Sequence, residues 1–496
     1  MLLVRYEITR IVLATAIVII TAACASPQRY EYDSIRREYA GAINRIEAGT
    51  AGTRPTSPIG QWDSAQPLSL TAAIDLALVN NPDRQMAIAR IAQAEAMISQ
   101  STAGFYPSVS IAAEYLQGDA PSAYLFKTID QRQLAPGTDF NQPGWFQTWE
   151  TGGALNWKLY NGGRDLLSRR MSETGLGISA LDRESIDNSL RASVIQGFYN
   201  ILAAKDFLAI SRESVATVQE QLRVMRVRYN AGGALKSDIL SLEVRLAEAE
   251  EEVVRGENRI RTATAALANV LGIDPTTQLR LDTAAASDAL SVPATFSEGL
   301  THALAHRPEI YRARQQVIRS RMAVDVAKSG YLPKVDLQTR WYVDAPEIPD
   351  YDIAKDNWTA GVMLHWGLFT GFSTQAQERQ AKAQLEEMLM ADRKALQAVK
   401  FDVTTAYLRL DEARARLEVA RKSIESADES FKLVKQQYAG GSATITRYLE
   451  AELARSRSRL HVATATIDYF KANADVCRAI GKWSPTMGNK GGKTQP

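Results

Sequence analysis

Two groups of residues in this chain have the types and spacing that chemistry requires. The first lies at the N-terminus, where Arg5 and Arg10 precede the apolar run Ile11–Ala23, a charged region followed by an apolar core of export-signal length. The run ends in Thr21-Ala22-Ala23-Cys24, small residues followed by a thiol, which resembles a bacterial lipobox and makes Cys24 the expected site of lipidation. Thr21 stands where such boxes more often carry Leu, and an ordinary export signal ending near a cysteine is the plainer alternative. Residue 25 is Ala and not Asp, which by the usual sorting rule directs a lipoprotein onward to the outer membrane. A three-chain anchor would hold the N-terminus firmly, because two acyl chains already suffice. The second group is His302 and His306, spaced i, i+4. Ala303 stands where a zincin HExxH motif has its acid, and no third ligand is apparent, so these read as helix-surface histidines and no metal is expected. No Walker motif, Ser-Gly elbow, paired-Cys cluster or dinucleotide fingerprint occurs, so neither a cofactor nor enzymatic activity is expected.

The composition narrows the class further. With 58 basic and 56 acidic residues the net charge is +2, which gives no ground for nucleic-acid binding. Mean hydropathy is −0.22, and past the N-terminus no apolar run approaches the ~18 residues of a membrane-spanning helix. Once Cys24 is acylated, Cys477 has no partner for a disulfide, so stability must come from packing or assembly.

The elements that must position any functional residue are written twice. Ala77-Leu78, Pro82, Gly104, Pro107 and Val109 recur 226 residues later as Ala303-Leu304, Pro308, Gly330, Pro333 and Val335. Further on the offset is 209: the Trp157–Gly162 motif returns as Trp366–Gly371, and Tyr229–Gly233 returns as Tyr438–Ser442. A period of that length marks a duplicated domain rather than a solenoid. The change of offset places 17 extra residues in a loop around 117–148 of the first copy. The expected organisation is a signal peptide over 1–23, an anchor and extended linker over 24–66, repeats over 67–290 and 291–481, and a disordered tail over 482–496.

Within each repeat, strands alternate apolar with small or polar residues. They are expected at about 108–116, 150–160, 334–343 and 358–369, each near the length of a tilted membrane strand. Six of the eight tryptophans, Trp145, Trp149, Trp157, Trp341, Trp358 and Trp366, lie in or beside them, as in the interfacial girdles of an outer-membrane barrel. A soluble antiparallel sheet is the alternative. The helices carry heptads. Val194, Ile201, Leu208, Val215, Leu222 and Tyr229 step by seven, and Val403, Leu410, Leu417, Ile424, Phe431 and Tyr438 repeat the row. Helical hairpins are expected over about 163–272 and 371–481, each with a first arm of ~65 residues, roughly 100 Å.

Four strands cannot close a barrel, and an open sheet in lipid leaves costly unpaired edges, so other copies must complete it. Three copies give twelve strands and twelve hairpin helices. The duplicated grammar, the GFYP (104–107) and GYLP (330–333) turns, the Trp-x-Leu-aromatic-x-Gly motif and the twin Tyr-x-x-Gly turns resemble the TolC-type outer-membrane efflux proteins over nearly all of residues 68–481. The lipobox and long linker resemble the lipoprotein branch serving resistance-nodulation-division pumps.

The resemblance implies an α+β membrane protein, a homotrimer with a twelve-strand outer-membrane barrel continued by a twelve-helix periplasmic barrel. It would be a passive duct in the outer membrane of a Gram-negative bacterium, held by lipid and driven by an inner-membrane pump through a periplasmic adaptor. The hairpin tips, Gly232-Gly233 and Gly440-Gly441, then become adaptor-docking turns in which glycine permits a left-handed backbone. The periplasmic aperture falls near Tyr229, Tyr438, Asp238, Ser241, Arg447 and Glu450. Many relatives carry two aspartates there; Arg447 replaces the first, which suggests an Asp238–Arg447 pair between neighbouring hairpins and puts cation selectivity in doubt. Trp149, Trp157, Trp341, Trp358 and Trp366 become membrane-interface aromatics. Type I protein secretion is an alternative within this class; a periplasmic adaptor or a structural envelope lipoprotein are alternatives outside it. An adaptor has one hairpin, whereas this pattern has two.

Overall fold

The computed structural model describes residues 67–282, 292–347, 350 and 352–483. The expected signal peptide, Cys24, the linker and most of the tail lie outside these residues. The described chain divides into two units, one of residues 98–170 and 323–380, the other of residues 67–97, 171–322 and 381–483.

The first unit is built on a four-stranded antiparallel sheet, β1 (Ser108–Gly118), β2 (Phe146–Tyr160), β3 (Lys334–Ala345) and β4 (Asp356–His365), in sequence order, so β1 and β4 are its edges. Strand β4 ends before Trp366, three residues after which the chain is still outside any helix. The pleat sorts the side chains. Residues directly opposite one another share a face, so Val109, Ile111, Tyr115, Trp149, Leu155, Trp157, Leu337, Trp341, Trp358, Val362 and Leu364 lie on one side. Ser110, Glu114, Glu150, Asn156, Asp336, Gln338, Arg340, Asn357 and Thr359 lie on the other. The apolar side is largely bare: Val109 is 72% and Ile111 85% exposed.

Two turns lead into β1 and β3, and both are clamped by the same pair of contacts. A Cβ on Gly104 would sit 2.9 Å from Asp165 Cγ, and one on Gly330 would sit 2.9 Å from Thr374 Cγ2. Asp165 and Thr374 are equivalent positions in the two copies, so glycine is what lets the start of each long helix lie against the turn. The indoles of Trp157 and Trp366 donate to the carbonyls of Phe105 and Tyr331, each at 3.0 Å. Between β1 and β2, where only a long loop is expected, the extra residues form a helix, α3 (Pro121–Asp130). Pro121 at its first turn favours that start.

In the second unit, α1 (Leu70–Asn80) and α2 (Pro82–Thr102) precede the first hairpin, and α6 (Phe296–His306) and α7 (Pro308–Lys328) repeat them. Pro82 and Pro308 force the preceding residues, Asn81 and Arg307, out of the helical region (ψ 127° and 120°). Two hairpins follow, α4 (Arg164–Asn230) with α5 (Lys236–Leu271), and α8 (Ser373–Ala439) with α9 (Ile445–Ile480). The 67-residue arms are about 100 Å long. Their heptad rows are buried at Val194, Ile201, Leu208, Val403, Leu410 and Leu417, each such side chain stabilising by roughly 1.5–3 kcal/mol. Small residues hold the arms close: a Cβ on Gly197 would meet Leu267 Cδ1 at 3.1 Å, and one on Gly256 would meet Leu208 and Phe207 at 3.2 Å. Gly272 and Gly481 end the return arms in the left-handed region (φ 73° and 70°). Trp483, expected in the tail, donates to Asn188 Oδ1 at 3.1 Å and packs on the core.

Candidate functional site

The hairpin tips come first. Each long arm closes with the amide of Gly232 bonded to the Tyr229 carbonyl (2.9 Å) and that of Gly441 to the Tyr438 carbonyl (3.2 Å). Gly232 and Gly441, equivalent in the two copies, are left-handed at φ 76° and 79°. Gly233 and Gly440 are not, so one glycine in each pair carries the turn and the expectation for the other is corrected. At the second tip the Thr444 hydroxyl caps α9 by accepting from the Arg447 amide (3.3 Å).

The two tyrosines of the repeat have different surroundings. Tyr229 is 41% exposed, whereas Tyr438 is buried in a cluster with Val218, Leu222, Met225, Ile239, Leu242, Phe431, Ile445 and Tyr448. Its ring lies 5.4 Å from that of Tyr448, under the Arg228 guanidinium. Burial, then the neighbouring Glu452, pushes the Tyr448 phenol up to about 12, so it stays a neutral core group. Arg447 pairs with Glu450 one turn along its own helix at 3.4 Å, and both are 61% exposed. Asp238 lies in the first turn of α5, and Ser241 donates to the Ser237 carbonyl at 3.0 Å. Within the chain, therefore, Arg447 is paired along its helix with Glu450.

Deeper between the hairpins is a charged core that the heptad pattern does not announce. Glu452, 2% exposed, accepts from Ser214 (2.7 Å), Ser456 (2.8 Å) and the Arg245 guanidinium (3.1 Å). It joins α9 of one copy to α4 and α5 of the other. Glu452 lies directly after Ala451, itself buried in the cluster around Tyr438, and its burial depends on the other hairpin, which no spacing within α9 reveals.

A second cluster sits at the break between α6 and α7. Arg307, 7% exposed, donates to Glu309 (2.8 Å), Asp402 (2.9 Å) and the carbonyls of Arg478 (3.2 Å) and Ala479 (2.9 Å) at the end of α9. In the first copy Asn81 makes the corresponding bond to the Val270 carbonyl at 2.9 Å. Burial opposes the Asp402 charge, but Arg478 and Arg307 outweigh it and hold its pKa below the ordinary value. His302 and His306 stack at 4.1 Å with their Nδ1 atoms against the carbonyls of Ile480 and His302. Burial pushes the Cys477 thiol up to about 12, so it is an inert core residue.

In the sheet unit Trp149, Trp157, Trp341 and Trp358 lie on the apolar side. Trp149 lies opposite Tyr115, their rings 4.5 Å apart, and Trp341 lies opposite Trp358. The Trp341 indole donates to Asp356 (2.7 Å). Trp157 lies eight residues along β2 from Trp149, about 27 Å at the rise of an extended strand, and Trp366 follows the end of β4. The polar face carries charge at its loop end. Lys127 of α3 reaches Glu150 (2.5 Å) and Asp344 (3.3 Å), and Glu150 also pairs with Arg340.

No described helix is long and apolar enough to cross a membrane. A sheet with one apolar and one polar face can form part of the wall of a water-filled passage. Comparison with known proteins agrees. Residues 73–273 and 299–482 match the sequence profile of the outer membrane efflux protein family. The pyoverdine export outer membrane protein OpmQ of Pseudomonas aeruginosa is 24% identical over 432 residues, 87% of this chain and 89% of that one. Among solved structures, a membrane protein from Pseudomonas aeruginosa superposes with a TM-score of 0.73 at 21% identity, covering 87% of this chain and 100% of its own. The Campylobacter jejuni CmeC outer membrane channel gives 0.70 at 18%, covering 83% and 85%. The fold is that of the TolC-like channels, as the repeat grammar implied. The chain belongs to the outer membrane efflux protein family, non-enzymatic transport ducts of the outer membrane that work with an adaptor and an inner-membrane pump.

Proposed function

We propose that three copies of this chain form one passive exit duct. A four-stranded sheet with an apolar side, a polar side and two edge strands supports this reading most directly. Three such sheets give a closed twelve-stranded barrel that removes every edge, with the apolar side to lipid and the polar side to water. Trp149, Tyr115, Trp341 and Trp358 then belong to the outer interface and Trp157 and Trp366 to the inner one. The long hairpins continue the passage into the periplasm, and Cys24 anchors the chain by lipid to the inner leaflet of the outer membrane. The tips turned by Gly232 and Gly441 receive the adaptor, and Asp238, Arg447 and Glu450 of neighbouring hairpins border the aperture. Small molecules or metals are the cargo, with selection left to the pump. The lipobox favours efflux over protein secretion, and the relatives include both the export protein OpmQ and the protease secretion protein PrtF of Dickeya chrysanthemi.

The test is a deletion strain. Raised sensitivity to drugs or metals, restored by the native chain, with an unchanged set of secreted proteins is the expected result. Loss of one secreted protein with unchanged sensitivity contradicts it in favour of type I secretion.

A further inference from the structure

The 17 extra residues of the first copy do not simply lengthen a loop; their helix is laid across the polar side of the sheet. The polar contacts that α3 and Gln131 make with the sheet go to that side or to the strand edge beside it. Lys127 binds Glu150 and Asp344, and Asp130 accepts from the Tyr342 hydroxyl at 3.0 Å. Its carbonyl accepts from Asn357 at 3.2 Å, and Gln131 donates to the Gln147 carbonyl at 3.3 Å. Tyr124 packs edge-on against Phe146. Burial follows the helix. Phe146, Thr148, Glu150 and Asp344 are all under 9% exposed, whereas Ser110 and Asn156, further from the loop on the same side, are exposed.

We propose that α3 is a cap on the channel lumen at its extracellular end, latched by Lys127, which sets the size of solute able to pass there. The inference rests on the polar side being the lumen. Twelve strands about 4.8 Å apart and tilted by about 40° enclose a backbone diameter of roughly 24 Å. A helix with its side chains is about 10–12 Å across, so three of them, one from each copy, fill most of that mouth. The β3–β4 loop has no helix of this kind among its described residues, so one cap per copy narrows the opening without needing a second.

Lys127 suits a latch. Burial works against its ammonium, but Glu150 and Asp344 more than compensate and keep it charged. Glu150 and Asp344 are cross-strand partners, directly opposite, so without the ammonium two carboxylates face each other beneath the helix with the Arg340 guanidinium left to offset Glu150 alone. Removing one side chain therefore both deletes the contact and sets up repulsion under the cap.

The experiment uses intact cells carrying the full chain with Ser110→Cys, a lumenal position clear of α3. Labelling from outside is timed with a small membrane-impermeant maleimide and with a bulky polyethylene-glycol maleimide, against a parent chain without the substitution. Three backgrounds are compared: native α3, Lys127→Ala, and 121–130 replaced by a Gly-Ser segment. The bulky reagent is expected to react about tenfold faster or more in the latter two, the small one at similar rates in all. Equal rates for the bulky reagent in all three backgrounds overturn the cap. A gain only with the replaced segment overturns the latch role of Lys127. Failure of even the small reagent to label any background contradicts instead the lumenal reading of the polar side, and with it the proposed duct.

Discussion

The indole N–H of Trp157 donates to the carbonyl of Phe105 at 3.0 Å, tying the end of β2 to the turn that opens β1. Trp366 repeats the bond to Tyr331 in the second copy. The two most recognisable motifs of each repeat are therefore one structural unit. Trp157→Phe and Trp366→Phe keep the apolar ring and lose the bond. Each is expected to cost about 1 kcal/mol, read as a lower apparent Tm of the purified protein in detergent. Unchanged Tm in both variants would leave the bond without energetic weight.

Gly272 and Gly481 have nearly the same left-handed backbone but different neighbours. A Cβ on Gly272 would lie 2.4 Å from the Asn80 carbonyl oxygen, whereas at Gly481 the nearest atom, Arg307 Cδ, is 3.5 Å away. Gly481→Ala should therefore cost only backbone strain, about 1–2 kcal/mol. Gly272→Ala must also displace backbone and should lose clearly more, to the point of reduced folded yield. Equal thermal shifts would refute the difference.

Arg307→Ala removes the buried partner of Glu309 and Asp402 and frees two helix-end carbonyls, a loss of about 3 kcal/mol. Both carboxyls are held below their ordinary values of 4.5 and 3.8, although burial opposes this, by Arg307 for Glu309 and by Arg478 and Arg307 for Asp402. A depressed carboxyl stabilises the fold above its unfolded pKa and loses that contribution as pH falls through the folded one. Native protein should thus weaken below about pH 4, and Arg307→Ala should show a shallower acid limb in a melting series across pH.

At the tips, Arg447 and Glu450 are exposed, so their pair is worth about 0–1 kcal/mol. Arg447→Ala and Asp238→Ala should leave Tm nearly unchanged. Any rise in the conductance of the reconstituted channel then reports the aperture rather than misfolding. Native conductance in both variants would remove these residues from the gate.

The architecture was legible because duplication writes it twice: the heptad rows, the Gly-x-x-Pro turns and the tryptophan motifs each occur at matched positions. Local chemistry also located the tips, although φ alone tells which glycine of each pair turns the chain. What stayed hidden depends on packing between distant segments. Glu452 is buried by Ser214 and Arg245 of the other hairpin. Arg307 and Asn81 cap return helices more than 150 residues further along the chain. The helix α3 was hidden for a different reason: its ten residues read as loop, and only the sheet beneath gives Lys127 a partner.

The central claim is that the two sides of the sheet face lipid and water. Single-channel recording of the purified full-length chain in planar bilayers tests it most directly, comparing Glu114→Lys on the polar side with Ile111→Val on the apolar side. Discrete steps whose ion selectivity shifts towards anions in Glu114→Lys, and stays native in Ile111→Val, are the predicted result. Absence of steps, or selectivity unmoved by Glu114→Lys, would contradict it.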